Sequence, residues 1–191
     1  MDVSSLAEHN SNMRYLLTVI DAFSRKAFVE PVVNKSAKNV VAAFERILNR
    51  LKFKPLYFHS DQGSEFVNAV FKKMLKKHNI DSFTSLDKDI KASIVERFNR
   101  TLMTRIYRYL TKHNSYKYVH ILPDLIRNYN NTVHSAIGLP PAKVNHKNKE
   151  EVWLRLYHRC THKKRTHSHS DKIKTDKIKK KNCTGRYGLD T

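Results

Sequence analysis

Cysteine is scarce in this chain of 191 residues, with only Cys160 and Cys183 near the C-terminus and no close pairing between them. That excludes a disulfide framework and a cysteine-based zinc motif, and it fits a reducing, intracellular compartment. The neighbouring His158, His162, His167 and His169 match no zinc-ligand spacing. Long apolar runs are also absent. Nothing approaches the ~20 apolar residues of a membrane span, and no early segment is long enough for a signal peptide, so a soluble chain without membrane contact is expected. Acidic residues are few: 17 Asp and Glu stand against 37 Lys and Arg, a formal charge of +20. This excess exceeds what solubility requires and points to a polyanionic partner, nucleic acid being the commonest. A merely well-solvated basic surface is the alternative.

With 40% hydrophobic residues, the chain has enough apolar surface for one folded body with appendages. The start, "MDVSSLAEHNSN", reads as strand-like and then as a polar loop. "YLLTVIDAF" and "KAFVEPVV" are rich in β-branched and aromatic residues and flank a turn, which predicts a hairpin. From Ser36, a plausible N-cap, Val40, Val41, Phe44, Ile47, Leu48 and Leu51 recur at helical spacing, with Lys38, Arg46 and Arg50 on the other side. "LYFHS" is a further strand, 66–78 a helix with Phe66, Val70, Phe71 and Leu75 inward, and "IDSFTS" a brief strand. Residues 86–92 read as a mobile loop. In the next helix Val95, Phe98, Leu102, Ile106 and Tyr109 form the core stripe, while Glu96, Asn99, Arg100 and Met103 share another face. A helix over 119–131 and a last one carrying Val152, Trp153 and Leu156 for docking complete the body. Residues 160–191, poor in apolar groups and heavy in lysine, read as a basic disordered tail. Strand–helix alternation after an antiparallel start predicts an α/β fold, a mixed sheet with helices on both faces.

Two carboxylates stand out, Asp61 at a strand end in "FHSDQGSEF" and Glu96, 35 positions later. Each has a local reading. Asp61 with Ser60 and Gly63 fits turn chemistry, and "SIVE" fits a capping box in which Ser93 caps the helix and Glu96 reaches back.

The four blocks "YLLTVIDAFSRKAFVEPV", "HSDQGSEF", "KASIVERFNRTL" and "YNNTVHSAIGLPPAKV", in that order, resemble the catalytic core of retroviral-type integrases of the D,D-35-E kind, closest to those of Polinton or Maverick transposons. The resemblance covers about residues 1–159. It implies an RNase H-like fold with a five-stranded mixed sheet. The activity it implies is DNA 3′-end processing and strand transfer, by phosphodiester transesterification with two Mg²⁺ (or Mn²⁺) ions. By the same resemblance, Asp61 and Glu96 are catalytic metal ligands, Gln62, Asn99 and Arg100 lie at the DNA, Asp21 is not catalytic and bonds turn amides near Ser24, and the core works as a homo-oligomer on transposon ends and target DNA.

The family's first aspartate sits in a W-Q-x-D-L strand that falls ahead of Met1, so the first strand is expected to be incomplete. Asp2 is the nearest carboxylate, but an odd displacement along a strand turns it to the other sheet face. Neither the family's upstream zinc domain nor its downstream barrel is matched, although "SDKIKTDKIKKK" resembles the start of a barrel. A catalytically inactive DNA-binding or architectural remnant is therefore a second expectation, and a basic RNA-binding protein a third. The tail suggests entry to the nucleus or a DNA-clamping arm.

Overall fold

The computed structural model describes residues 1–51, 54–60, 63–84 and 88–157. Two expected site residues, Asp61 and Gln62, lie outside these residues, as does the tail over 160–191.

The predicted hairpin is present. Strands β1 (Tyr15–Ile20) and β2 (Ala27–Val32) pair antiparallel from Tyr15↔Val32 to Ile20↔Ala27. Alternation along β1 sends Leu16 to one side and Leu17 to the other, so the hairpin carries a hydrophobic cluster on each face. The segment before it is less a loop than expected. Asp2 bridges Tyr15, Met1 and Leu16 exchange backbone bonds, and Ser4–His9 then forms a 3-10 helix that buries Leu6 and Ala7.

Helix α1 (Ala37–Arg50) starts where the sequence suggested, Ser36 Oγ accepting the Asn39 amide at 3.4 Å. It buries Val40, Ala43, Phe44, Ile47 and Leu48 against the Leu17 face. Strand β3 (Tyr57–Ser60) runs parallel to β4 (Asp81–Thr84), joined by α2 (Ser64–Val67) and α3 (Ala69–Lys77). This is a strand–helix–strand crossover. The single helix expected over 66–78 is broken at Asn68, whose Oδ1 accepts the Phe71 amide at 2.8 Å and starts α3 afresh. The new phase turns Phe71, Met74 and Leu75 inward and leaves Val70 exposed, correcting its expected place in the core. Phe44, Phe58 and Phe71 close this half of the core, with ring centroids 5.1 to 5.5 Å apart.

Helix α4 (Lys88–Lys112) and helix α5 (Leu122–Asn131) cover the other face of the hairpin. The core stripe of α4 is Phe98, Leu102, Ile106 and Leu110. At about 1.5–3 kcal/mol for each fully buried large apolar side chain, these four fix the helix to the sheet. Val95 and Tyr109, expected in the stripe, are half-buried at its margins. The mobile loop expected over 86–92 gives way to helix from Lys88 onward, and residues 85–87 lie outside the described residues. Helix α6 (Lys149–Tyr157) buries Val152 and half-buries Leu156, whereas Trp153, expected to dock with them, stands out at 52% exposure against Tyr157.

Antiparallel and parallel pairing both occur, as the α/β reading requires. Among the described residues they form two two-stranded units, with Asp2 as a bridge to the first, in place of one five-stranded sheet.

Candidate functional site

Ser60 stands at the C-terminal end of β3, a parallel strand, and Asp61 follows it in the sequence, outside the described residues. Ligand-binding groups gather at such ends in α/β sheets. Phe58, Ser60, Phe66, Val67, Lys72, Ser82 and Phe83 line an open cleft beside this end. Gly63, the turn glycine of the block, precedes α2 with φ −57°, an angle open to any residue, so it is not here for a left-handed backbone.

Glu96 stands in the third turn of α4, not the first. Because the helix already runs from Lys88, Ser93 is not its N-cap, and the capping-box reading of "SIVE" falls away. Glu96 is exposed, and among the described residues no hydrogen bond or ion pair engages it. Several other carboxylates are committed. Glu30 receives both Arg46 (2.6 Å) and Arg50, Glu151 receives Arg155 at 3.0 Å, and Asp124 receives Arg127 at 3.1 Å. The basic face of α1 is therefore partly neutralised by β2, and its arginines are less available to a polyanion than the sequence suggested.

One turn beyond Glu96, Asn99 is half-buried, and its Oδ1 is shielded from solvent without a hydrogen-bond partner. Such an acceptor carries an uncompensated desolvation cost that a donor arriving at the site would relieve. Arg100 is exposed and, among the described residues, has no carboxylate partner. Glu96, Asn99 and Arg100 thus share one face of α4, as their spacing required.

Asp2 is placed differently. Its bridge partner Tyr15 belongs to the hairpin face packed by α1 and α3, whereas α4 packs on the face of Leu16. Asp2 also accepts the Ser4 amide at 2.8 Å, and that bond, more than Lys35 or the N-terminal ammonium, holds its carboxyl below the usual carboxylate range. Asp21 is spent on its turn. Its carboxylate accepts the amides of Phe23 (3.2 Å) and Ser24 (3.1 Å) and the Ser24 hydroxyl.

Sequence reasoning did not single out Arg25, Arg97, Asn130 or His134. Asn130 is buried and closes two 2.9 Å hydrogen bonds with the main chain of Ala27, tying the end of α5 to the start of β2. Arg25 has a left-handed backbone, φ +61°, and a half-buried guanidinium whose Nη1 has no partner. Apart from Asp21, its charged and aromatic neighbours are separated from it by many positions, so no local pattern marks it.

No described cluster of three or more His, Cys, Asp or Glu side chains is placed to hold a metal. The donor set at issue is Asp61 with Glu96. Two carboxylates are chemically suited to Mg²⁺ or Mn²⁺, which prefer hard oxygen ligands.

Comparison with known proteins places this geometry. Residues 1–86 match the family described as Integrase core domain. A transposon-derived protein of Caenorhabditis elegans is 34% identical over 142 residues, covering 74% of this chain and 49% of that protein. The retrovirus-related Pol polyprotein from transposon 412 of Drosophila melanogaster is 30% identical over 112 residues, 57% of this chain and 9% of that one. The chain thus spans at most about half the length of these curated relatives. Among solved structures, the HTLV-2 integrase catalytic core domain in complex with magnesium aligns with a TM-score of 0.60 at 20% identity, covering 69% of this chain and 84% of that one. A chain of the simian T-cell lymphotropic virus intasome aligns at 0.65 and 18% identity, covering 72% and 50%. The catalytic core domain of BIV integrase aligns at 0.58 and 17%, covering 72% and 89%.

Proposed function

We propose that this chain, with the RNase H-like fold of integrase catalytic cores and sequence similarity to transposon-derived proteins, is the core of a transposon integrase, of the Polinton or Maverick kind, that processes DNA 3′-ends and joins them to target DNA. The observation that carries the reading is Glu96. It is exposed, uncommitted and freed from a capping role, and it stands in a helix 35 positions after Asp61, the residue that follows β3 in the sequence.

In this reading Asp61 and Glu96 hold Mg²⁺ or Mn²⁺, two ions in a complete site. When bound, the metal supplies activation of the attacking oxygen and stabilisation of the leaving oxygen. The rest falls to the chain's own side chains. Arg100 binds backbone phosphate without reading sequence, and Asn99 and Gln62 border the DNA end. The +20 charge concentrates DNA at the surface and makes binding salt-dependent. Joining two DNA ends calls for more than one core, hence a homo-oligomer, and the work calls for access to chromosomes, hence the nucleus. The body spans 1–159 and the basic tail 160–191.

A second reading, a DNA-binding core without catalysis, is favoured by the position of Asp2, which faces away from the α4 side and is bonded to Ser4. The experiment that separates them is strand transfer: purified protein, a labelled duplex with a recessed 3′-end, a plasmid target and Mg²⁺ or Mn²⁺. Metal-dependent joined product supports the integrase reading. DNA bound but never joined supports the second.

A further inference from the structure

The Asp21–Lys26 turn does more than reverse the chain. Asp21 is saturated by turn donors, and the Asn130–Ala27 bonds set this turn, with the left-handed backbone of Arg25, against the end of α5. There Tyr129 forms a hub, its ring 4.9 Å from Phe98 and 6.4 Å from His134, with the Arg105 guanidinium 5.7 Å over it. Arg25 is electrostatically coupled to Tyr157, Tyr129 and Arg97, and His134 to both Arg25 and Arg97. Burial lowers the Arg25 pKa first, opposed by Tyr157, Tyr129 and Asp21, and burial, Arg25 and Arg97 together keep His134 neutral-leaning.

These groups are donors with too few acceptors. His134 Nδ1 accepts the Ala136 amide at 3.3 Å, which leaves Nε2 to carry the proton. The Nη1 of Arg25 is out of solvent with nothing to receive its hydrogens. Arg46, Arg50, Arg127 and Arg155 have carboxylate partners, whereas Arg25 and Arg97, like Arg14, Arg100, Arg105 and Arg108, have none among the described residues. What sets Arg25 apart is its buried, unpartnered Nη1.

We propose that Arg25, Arg97 and His134, on three segments that meet where Tyr129 packs against Phe98 and His134, form an oxyanion site that takes a backbone phosphate of DNA. It is separate from the Glu96–Arg100 face and draws on the hairpin turn, α4 and the segment after α5. A guanidinium fork matches phosphate oxygens, and the buried Nη1 gains there the acceptor it lacks. The proposal rests on DNA being the partner, but not on the chain joining DNA.

The test uses Arg25→Gln and Arg97→Gln, with Arg108→Gln as a control that removes the same charge from an exposed position of α4. Duplex binding is followed by anisotropy at several salt concentrations, and inorganic phosphate binding by thermal denaturation against chloride at equal ionic strength. We expect Arg25→Gln and Arg97→Gln each to weaken duplex binding about tenfold, the equivalent of one charge-assisted hydrogen bond, and Arg108→Gln to do distinctly less. Wild-type protein should show a saturable phosphate-dependent rise in Tm that Arg25→Gln loses. Arg97→Gln, on an exposed helical position, keeps the comparison valid even where Arg25→Gln disturbs the turn. If both variants match Arg108→Gln, the site is refuted. If phosphate binding depends on Arg25 and Arg97 but duplex affinity does not, the DNA assignment is refuted. Absence of strand transfer with these differences intact overturns the integrase reading and leaves the site standing.

Discussion

The side-chain amide of Asn130 closes a two-bond ring with the backbone of Ala27, 103 positions earlier, each bond 2.9 Å. It satisfies the N–H and the C=O of a residue that is wholly buried at the start of β2. The bond pair also sets the hairpin turn, and with it Arg25, against the end of α5.

Asn130→Ala leaves both main-chain groups of Ala27 unpaired in the core. At ~1–3 kcal/mol for a buried group left without a partner, a loss of about 2–4 kcal/mol is expected. Denaturant unfolding should show it as a lower midpoint with an unchanged slope. A loss below about 0.5 kcal/mol would mean that water replaces the amide.

Gly138 has φ +70°, and an added Cβ would collide with the Arg155 guanidinium, 2.6 Å from its Cζ. Arg155 can swing aside, so the main cost is the left-handed backbone. Gly138→Ala should destabilise by about 1 kcal/mol. In Arg155→Ala the same substitution should cost somewhat less, and the double-mutant cycle measures the difference.

Burial pushes the Tyr118 phenol up to about 12 from an ordinary 10.0. The folded state therefore holds a proton that the unfolded state releases. This contribution is fully present below pH 10 and is lost as pH rises through about 12. Alkaline unfolding should steepen across that window, and Tyr118→Phe should remove the added slope. An unchanged slope in Tyr118→Phe would contradict the assignment.

Glu96→Gln should leave stability within about 0.5 kcal/mol, since the position is exposed, mid-helix and uncapped, and Gln has a similar helix propensity. Thermal unfolding checks this. A large loss would reveal a structural role for Glu96 that the described contacts do not contain.

The sequence made the hairpin, the Ser36 cap and the buried stripe of α4 legible because each is a local periodicity or a local bond. What escaped it was not local. Asn10 read as part of a polar loop, yet it is buried, donates to Leu6 and Tyr116 and accepts the amides of Tyr118 and Val119, partners mostly over a hundred positions away. A polar side chain with a distant partner has no spacing signal. The start of α4 escaped for another reason: "LDKDIKA" is charged and weakly patterned, yet the helix runs from Lys88. That one error gave Ser93 a capping role and Glu96 a bland explanation. At the candidate site, Glu96, Asn99 and Arg100 were legible as one helix face. The Arg25 cluster was not, because it is assembled from three separate segments.

The measurement that tests the central claim most directly is the strand-transfer assay repeated with Asp61→Asn and with Glu96→Gln, each shown to unfold like the wild type. The account predicts metal-dependent joined product from the wild type and its loss from both variants, with duplex binding retained. Joined product that persists in either variant would contradict the pairing of Asp61 with Glu96.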